Sequence, residues 1–397
     1  MSDTPELSAI VAGAGPAGLS AAEAIARRGH RVLILEQNHE IGSPIRTSGG
    51  SFVSEMDALG IPADLYHPIH RVRFLTANNA AVYEYPVPVL CIIDIRGVFQ
   101  FLAERAIAAG ARIQLSTAAV APILDHGNVT GVRTRDAAFS CRVLIDATGY
   151  HSTLLKQAGL DPGFRRFGVG AEYDMFAPHC DQQEAVLIAS AEFAPCGYAW
   201  AFPWGRNRVR IGVGIIHPDS AANPDSFLDR FVSNTSRYGV DLAGAQPMEH
   251  HRGLIPSEQF AKTFTGNGIM GVGDAAGHAS SLVGEGIRWA IHAGRMAGEV
   301  AARALERSDT SRAALLPFEK QWRKRFGSDL RLAHRVNKRI ATWDDKKWDE
   351  RAEILKLLSP GQFAEALKTN LTGGWMWRFL ASNPKALALA SGLGPNH

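Results

Sequence analysis

The chain has 397 residues, 46% hydrophobic and 20% charged, with 42 Lys+Arg against 39 Asp+Glu and a formal charge of +3. That composition excludes a disordered or fibrous chain, and the charge balance gives no ground for a nucleic-acid partner. Four cysteines, Cys91, Cys141, Cys180 and Cys196, form no C-x-x-C pair and no ligand-like cluster, so no metal site is expected and a reducing compartment is. The N-terminus lacks the basic segment of a signal peptide, and the apolar runs fall short of the ~18 residues a membrane span needs. The expected location is the cytoplasm, with peripheral contact at a membrane left open.

Residues 8–12 read as a short buried strand. Residues 16–29 read as a helix opened by Pro16 and closed by Gly29, and residues 31–36 as a second buried strand. This strand–helix–strand unit calls for a parallel sheet. Between the first strand and the helix lies Gly13-Ala14-Gly15-Pro16-Ala17-Gly18, a G-x-G-x-x-G fingerprint. Gly13 permits the tight turn, Gly15 lets the backbone approach a pyrophosphate, and Gly18 lets the helix pack close to the sheet. The helix N-terminus then meets the phosphate charge. Glu36, with Gln37 beside it, ends the second strand where a carboxylate can accept from a ribose. That acid favours FAD or NAD over NADP. A glycine turn without ligand and a solvated Glu36 is the plain alternative.

A helix is expected at 97–110, then strands near 111–121, 129–135 and 142–147. Residues 160–255 mix turns with strand-like runs at 185–193, 198–203 and 208–216, the pattern of an antiparallel sheet. A buried strand returns at 269–273 and a long helix at 285–307, and from 311 the chain is mostly helical and charged. Asp274 follows that strand among small residues, Gly273-Asp274-Ala275-Ala276-Gly277, and can meet a ribityl hydroxyl while amides approach phosphate. Leu282-Val283-Gly284-Glu285-Gly286-Ile287 then opens the long helix, whose amides and positive end suit the charge of a reduced flavin. No second strand–fingerprint–helix unit exists. Gly168-Val169-Gly170 and Gly212-Val213-Gly214 sit inside strand-like runs. Electrons must therefore arrive from a transient donor, NAD(P)H or reduced ferredoxin.

The glycine fingerprint together with G-D-A-A-G and G-E-G-I resembles the FAD-dependent oxidoreductases related to para-hydroxybenzoate hydroxylase. The resemblance implies that Asp274 contacts FAD and that Arg96, in Asp-Ile-Arg-Gly-Val-Phe, lies beside it. It also matches Ile145-Asp146-Ala147-Thr148-Gly149 to a strand-end cofactor motif. A simple turn at 146–149 and a surface ion pair at Arg96 are the alternatives. The implied fold is α/β (α+β overall): a Rossmann-type FAD-binding domain with an inserted antiparallel-sheet substrate domain and a helical C-terminal region. Its expected boundaries are 1–70, 92–159 and 256–310 for the FAD-binding part, 71–91 and 160–255 for the substrate part, and 311–397 for the helices.

Further stretches resemble the geranylgeranyl reductase family, which saturates prenyl double bonds. They are Ile41-Gly42-Ser43-Pro44-Ile45-Arg46, the pattern Y-x-W-x-F-P…G-x-G from Tyr198 to Gly214, Gly253-Leu254-Ile255-Pro256, and Phe318–Arg323. Many archaeal members carry Cys where this chain has Thr47. In the implied reaction, reduced flavin N5 gives hydride to one alkene carbon and a proton reaches the other, while the protein holds the chain and excludes water. Thr47, Tyr198 and Trp200 are the catalytic candidates, the first two as proton relays. Tyr198, Trp200 and Phe202 alternate along a strand and share one face, either a prenyl wall or ordinary core. Leu282 and Trp289 complete the expected substrate pocket. The expected cofactor contacts are Gly13, Gly15, Pro16, Ala17, Gly18, Glu36, Gln37, Arg46, Thr47, Arg96, Ala147, Thr148, Gly149, Gly273, Asp274, Gly284, Gly286 and Ile287.

His250, His251, His278 and His292 are further acid–base candidates. Arg46 suits a diphosphate or phospholipid head group, or a carboxylate partner. Residues 371–393, with Trp375, Trp377 and Phe379, suit tunnel closure or a membrane interface, or plain helix packing. The basic run at 320–339 reads as a solvated helix face. The partner expected is an apolar or lipid substrate, with an electron-donor protein as a second. The competing enzyme class is an FAD monooxygenase or halogenase. Halogenases have W-x-W-x-I-P on the corresponding strand, and here Tyr198 takes the first Trp position. A flavoprotein that only carries electrons is the non-enzymatic alternative.

Overall fold

The computed structural model describes residues 7–160, 163–372 and 374. The first strand, Leu7–Ala12, is buried and flanked in parallel by Val32–Leu35 and Ala138–Asp146. Arg112–Gln114 extends the parallel sheet on one side and Ile269–Gly271 on the other, with Thr265–Gly266 antiparallel at the edge. The expected strand at 111–121 is shorter, ending at Gln114, and a separate strand Ala121–Asp125 follows it. That strand turns at His126 and Gly127, whose φ of 46° and 80° suit a two-residue hairpin loop, into Asn128–Arg133.

The helix Pro16–Ala26 starts where Pro16 predicts and stops three residues earlier than Gly29, leaving a turn. It packs on the long helix Ile287–Glu306 with almost nothing between the backbones. A Cβ at Gly294 would stand 2.1 Å from Ala17 O and one at Gly298 would stand 2.6 Å from Ala21 O. These glycines set how closely the two helices approach beneath the fingerprint turn.

The second sheet has seven strands, ordered Gln246–Pro256, Phe167–Phe176, Arg208–His217, Gly197–Gly205, Glu184–Ile188, Arg71–Leu75 and Ala80–Glu84. Its neighbours are antiparallel except Glu184–Ile188 with Arg71–Leu75, which run parallel. A three-stranded sheet, Gly50–Phe52, Leu90–Ile93 and Tyr66–Ile69, stands beside them.

The C-terminal helices bridge both large sheets. Pro317–Ile340 is anchored by Glu319, which accepts from the amides of Phe264 and Thr265 and from the Thr265 hydroxyl. Asp345–Leu355 and Pro360–Leu367 cover the far edge of the second sheet. There Tyr83 stacks on Phe363 with ring centroids 3.9 Å apart and donates its hydroxyl to Leu355 O. Asp349 accepts from Thr76 and Asn78 in the same region. Of the 371–393 segment, Leu371 and Thr372 donate their amides to Asp329, whereas Trp375, Trp377 and Phe379 lie outside the described residues. Among the described residues no helix is long and apolar enough to cross a membrane.

Candidate functional site

A cavity of about 1120 Å³ runs from the fingerprint turn, along the face of the second sheet, to the C-terminal helices. At its phosphate end the three glycines have separate reasons. Gly13 has φ +109° and a Cβ there would lie 2.3 Å from Ala147 O. A Cβ on Gly18 would lie 2.0 Å from Gly13 O, so Gly18 is demanded by helix–strand packing and does not itself line the cavity. Gly15 is different. Its φ is −76° and a Cβ there meets no atom of the described residues within 4 Å. Neither backbone nor neighbours require glycine at that position. What a Cβ would fill is the cavity itself, at the N-terminus of a helix, where a pyrophosphate fits.

Glu36 accepts from Ala14 N–H at 2.8 Å through one oxygen and from the backbone and side-chain amides of Asn38 through the other. It therefore shapes the glycine turn, and the oxygen that accepts from Ala14 keeps a lone pair for a ribose hydroxyl. Gln37, Pro16 and Ala17 line the cavity beside it. Ala147, Thr148 and Gly149 form the opposite wall. They are held by Asp146, fully buried, which accepts from Thr148 N–H and Oγ1–H and from the amides of Leu154 and Leu155.

Asp274 stands in the 3-10 turn Gly273–Ala276 and faces the cavity. No described group donates to its carboxyl, and burial pushes its pKa up to about 7. A half-buried carboxyl that faces a cavity with no described donor is satisfied by a ligand hydroxyl. Gly284, Gly286 and Ile287 line the same stretch, and the helix they open presents amides with no intrahelical acceptor. An unpartnered acid, a glycine with nothing but cavity over it and a free helix N-terminus together fit a flavin dinucleotide.

Beyond this end the second sheet shows three cross-strand rows on one face. Tyr198 lies opposite Gly214 and Gly214 opposite Gly170, which pairs with Gly253. Trp200 lies opposite Gly212, then Glu172, then His251. Phe202 lies opposite Arg210, then Asp174, then Glu249. A Cβ on Gly212 would sit 2.2 Å from the Trp200 ring, so the glycine lets the indole lie across the neighbouring strand. Its Nε1–H then donates to Glu172 at 2.9 Å. Tyr198, Trp200 and Phe202 all line the cavity, as the alternation predicts. The Tyr198 hydroxyl donates to Val283 O at 2.6 Å, and burial raises its pKa. It ties the sheet to the loop before the long helix. Leu282 lines the cavity in that loop.

Some expected residues stand elsewhere. Trp289 is not a pocket residue. Ile287 and Ala290 take the cavity side of their helix, and Trp289 turns to the aromatic cluster of Trp322 and Phe326, with centroids at 6.4 and 5.1 Å. Arg96 does not line the cavity. It lies against Gly42 at the rim, 3.5 Å from Glu40 and 3.9 Å from Glu249, the ion-pair alternative. Arg46 and Thr47 both line the cavity, and Arg46 is exposed with no carboxylate paired to it among the described residues. His278 is fully buried among Phe264, Phe318 and Trp322, its ring nitrogens have no partner among the described residues, and burial pulls its pKa down to about 3, so it is a neutral core residue. His292 lies 3.6 Å from Glu55, outside the lining. His250 faces Asp225, also outside the lining, whereas His251 lines the cavity.

Glu172 was not among the expected residues. Its signal was a charged residue on the inward phase of a strand, in step with Gly168 and Gly170. The apolar far end of the cavity, walled by Phe74, Leu187, Trp348, Leu355 and Phe363, also had no sequence motif.

The model of the FAD binding domain family matches residues 6–307. A digeranylgeranylglycerophospholipid reductase 2 of Methanopyrus kandleri is 32% identical over 359 residues, 88% of this chain and 90% of that protein. A geranylgeranyl bacteriochlorophyll reductase-like protein of Thermoplasma acidophilum superposes with a TM-score of 0.85 at 24% identity, covering 97% of this chain and 98% of its own. A myxobacterial chondrochloren halogenase follows at 0.67 and 17% identity, covering 83% and 82%. These two structural likenesses establish the fold.

Two outcomes test the fit. Gly15→Ala should leave the thermal unfolding midpoint of the flavin-free protein unchanged and weaken FAD binding at least about tenfold, ~1.4 kcal/mol, measured by fluorescence titration. A ligand hydroxyl on Asp274 favours its charged form, so the bound state has the lower pKa and binding releases protons. FAD affinity should therefore rise with pH up to the free-state Asp274 value of about 7 and level off above it, and Asp274→Asn should flatten that slope.

Proposed function

The chain belongs to the FAD binding domain family, as an FAD-dependent oxidoreductase of the geranylgeranyl reductase kind, and from that membership we propose that it saturates carbon–carbon double bonds of an isoprenoid lipid. The observation that carries the substrate class is the cavity. It continues without a break from the Asp274 and Gly284–Ile287 stretch, over Tyr198, Trp200 and Phe202, to the apolar walls of the C-terminal helices. A long apolar chain suits that course, with one end beside the cofactor stretch.

Bound FAD would supply hydride to one alkene carbon. Gly13–Ala17 and the helix N-terminus would hold its pyrophosphate, Glu36 its adenosine ribose, Asp274 its ribityl chain, and the amides opening the long helix its ring system. The indole of Trp200, pinned flat by Gly212 and Glu172, presents a rigid apolar surface on which an alkene can lie without water. Tyr198 and Phe202 extend that surface at ring-centroid distances of 5.5 and 6.1 Å from Trp200. Exposed Arg46 at the cavity, with no carboxylate paired to it among the described residues, suits a phosphate-bearing head group. The electron donor is transient, NAD(P)H or reduced ferredoxin, because no second dinucleotide fingerprint is present in the sequence.

Reduction of the purified flavoprotein with dithionite under strict anaerobiosis, then addition of geranylgeranyl diphosphate, tests the reading. The expected outcome is flavin reoxidation with a product two hydrogens heavier for each bond reduced. A flavin that stays reduced until air is admitted, and then forms a long-lived oxygen adduct, would favour the monooxygenase or halogenase class.

A further inference from the structure

Reducing an alkene consumes a proton as well as a hydride, and two of the sequence candidates do not form a route for it. The Tyr198 proton is engaged by Val283 O. The Thr47 hydroxyl has no hydrogen-bonding partner among the described residues to resupply it from solvent. The polar column beside Trp200 does make a continuous route. Glu172 Oε1 lies 3.0 Å from His251 Nδ1, while its Oε2 accepts the Trp200 indole N–H. On the other side of the ring, His251 Nε2 lies 3.1 Å from Glu249 Oε2. Glu172 and His251 are 3% and 5% exposed and both line the cavity. The Glu249 side chain is 36% exposed, at the edge strand.

Two hydrogen bonds need two hydrogens. A neutral imidazole flanked by two carboxylates carries only one, because a carboxylate can accept but not donate. With both bonds formed, the trio therefore holds one further, dissociable proton, as imidazolium or as a carboxylic acid. That proton titrates as a property of the trio. Glu172 and Glu249 together outweigh burial and hold His251 above the ordinary imidazole range.

The remaining charges give the route a direction. Arg96 and Arg208 face Glu249 at 3.9 and 3.6 Å and, with His251, hold its carboxyl below the ordinary range. Asp174, from the strand of Glu172, takes Arg208 and Arg210. His250 turns away to Asp225. No arginine or lysine pairs with Glu172 among the described residues. Positive charge thus stands on the solvent side of the ring and biases the proton inward.

We propose that Glu249, His251 and Glu172 form a proton relay that brings one proton from solvent to the cavity wall at Trp200 for each double bond reduced. This rests on the reductase reading. The O–H bond of protonated Glu172 breaks and a C–H bond forms at one alkene carbon. The hydride of the proposed reduction, with its electron pair, forms the C–H bond at the other carbon, and the π bond is consumed. In that step the trio's one dissociable proton passes from His251 Nδ1 to Glu172, leaving a neutral ring with its hydrogen on Nε2 and two carboxylates, and one proton taken up from water restores the imidazolium before the next turnover.

Two readouts test the relay in the full-length holoenzyme. The ¹⁵N shifts of the His251 ring report its protonation without turnover. The wild-type ring should titrate above the ordinary imidazole range, and Glu172→Gln should lower the midpoint by about one unit or more while FAD binding is retained. Anaerobic reoxidation of the dithionite-reduced protein by geranylgeranyl diphosphate should slow as pH rises through the wild-type midpoint. Glu172→Gln should slow it about 10²-fold at unchanged affinity for the probe, and Glu172→Asp should restore part of the rate. Glu249→Gln, at the half-exposed end, leaves the buried pair in place and should shift the pH profile. Wild-type rate and pH profile in both glutamine variants would overturn the relay. Turnover with an ordinary His251 midpoint would overturn it alone, whereas a wild-type flavin that stays reduced would overturn the reductase reading and the relay's role with it.

Discussion

The indole of Trp200 lying across Gly212 and donating to buried Glu172 is the contact on which the site's shape depends. Neighbouring strands stand about 4.8 Å apart, so an indole reaches the second strand over only if the residue between has no side chain. Gly212 meets that need, and Gly214 and Gly170 leave the adjoining floor low. The ring is then held flat from below and fixed at its nitrogen. Tyr198 and Phe202 take their places above and below it by strand periodicity. Through Val283, Tyr198 fastens this wall to the loop that opens the long helix. The gap between the two sheets therefore stays open as a cavity with a rigid face.

The glycines of the chain divide by what demands them. Gly13, Gly18, Gly294 and Gly298 are required by protein atoms that a Cβ would strike. Gly253 belongs with them, since a Cβ there would lie 2.0 Å from Arg46 O, and it lets the Arg46–Thr47 loop pass over the edge strand into the cavity wall. Among the described residues nothing requires glycine at Gly15, and none donates to the Asp274 carboxyl. These two residues give the cofactor end its meaning. The fold is complete without them, and their chemistry is addressed to a ligand.

Much of this was legible in the sequence because the signals are local. The fingerprint, Glu36 and the Asp274 turn follow from short spacings and the strand or helix they adjoin. The aromatic column follows from a period of two. What escaped is long-range or a matter of helical phase. Glu172 and His251 are 79 positions apart and meet only through strand pairing. Trp289 follows the Gly286 turn closely in sequence, yet its place on the helix turns it toward Trp322 and away from Ile287. The expected run 111–121 breaks after Gln114, and its later part, Ala121–Asp125, pairs across the His126–Gly127 loop with Asn128–Arg133. The helix Asp345–Leu355 is polar in sequence and Pro360–Leu367 is short, and their role as the apolar end wall appears only when Phe363 meets Tyr83.

On the proposed function, one apolar chain lies on the Tyr198–Trp200–Phe202 face with an end beside the cofactor stretch. A crystal structure of the FAD-loaded protein soaked with geranylgeranyl diphosphate tests it most directly. The flavin ring is expected between the loop at Gly284–Ile287 and the aromatic face, with the prenyl chain running over Trp200 toward Phe363. A prenyl chain bound outside this cavity, or a flavin ring covering the Trp200 face and leaving no room for an alkene, would contradict it.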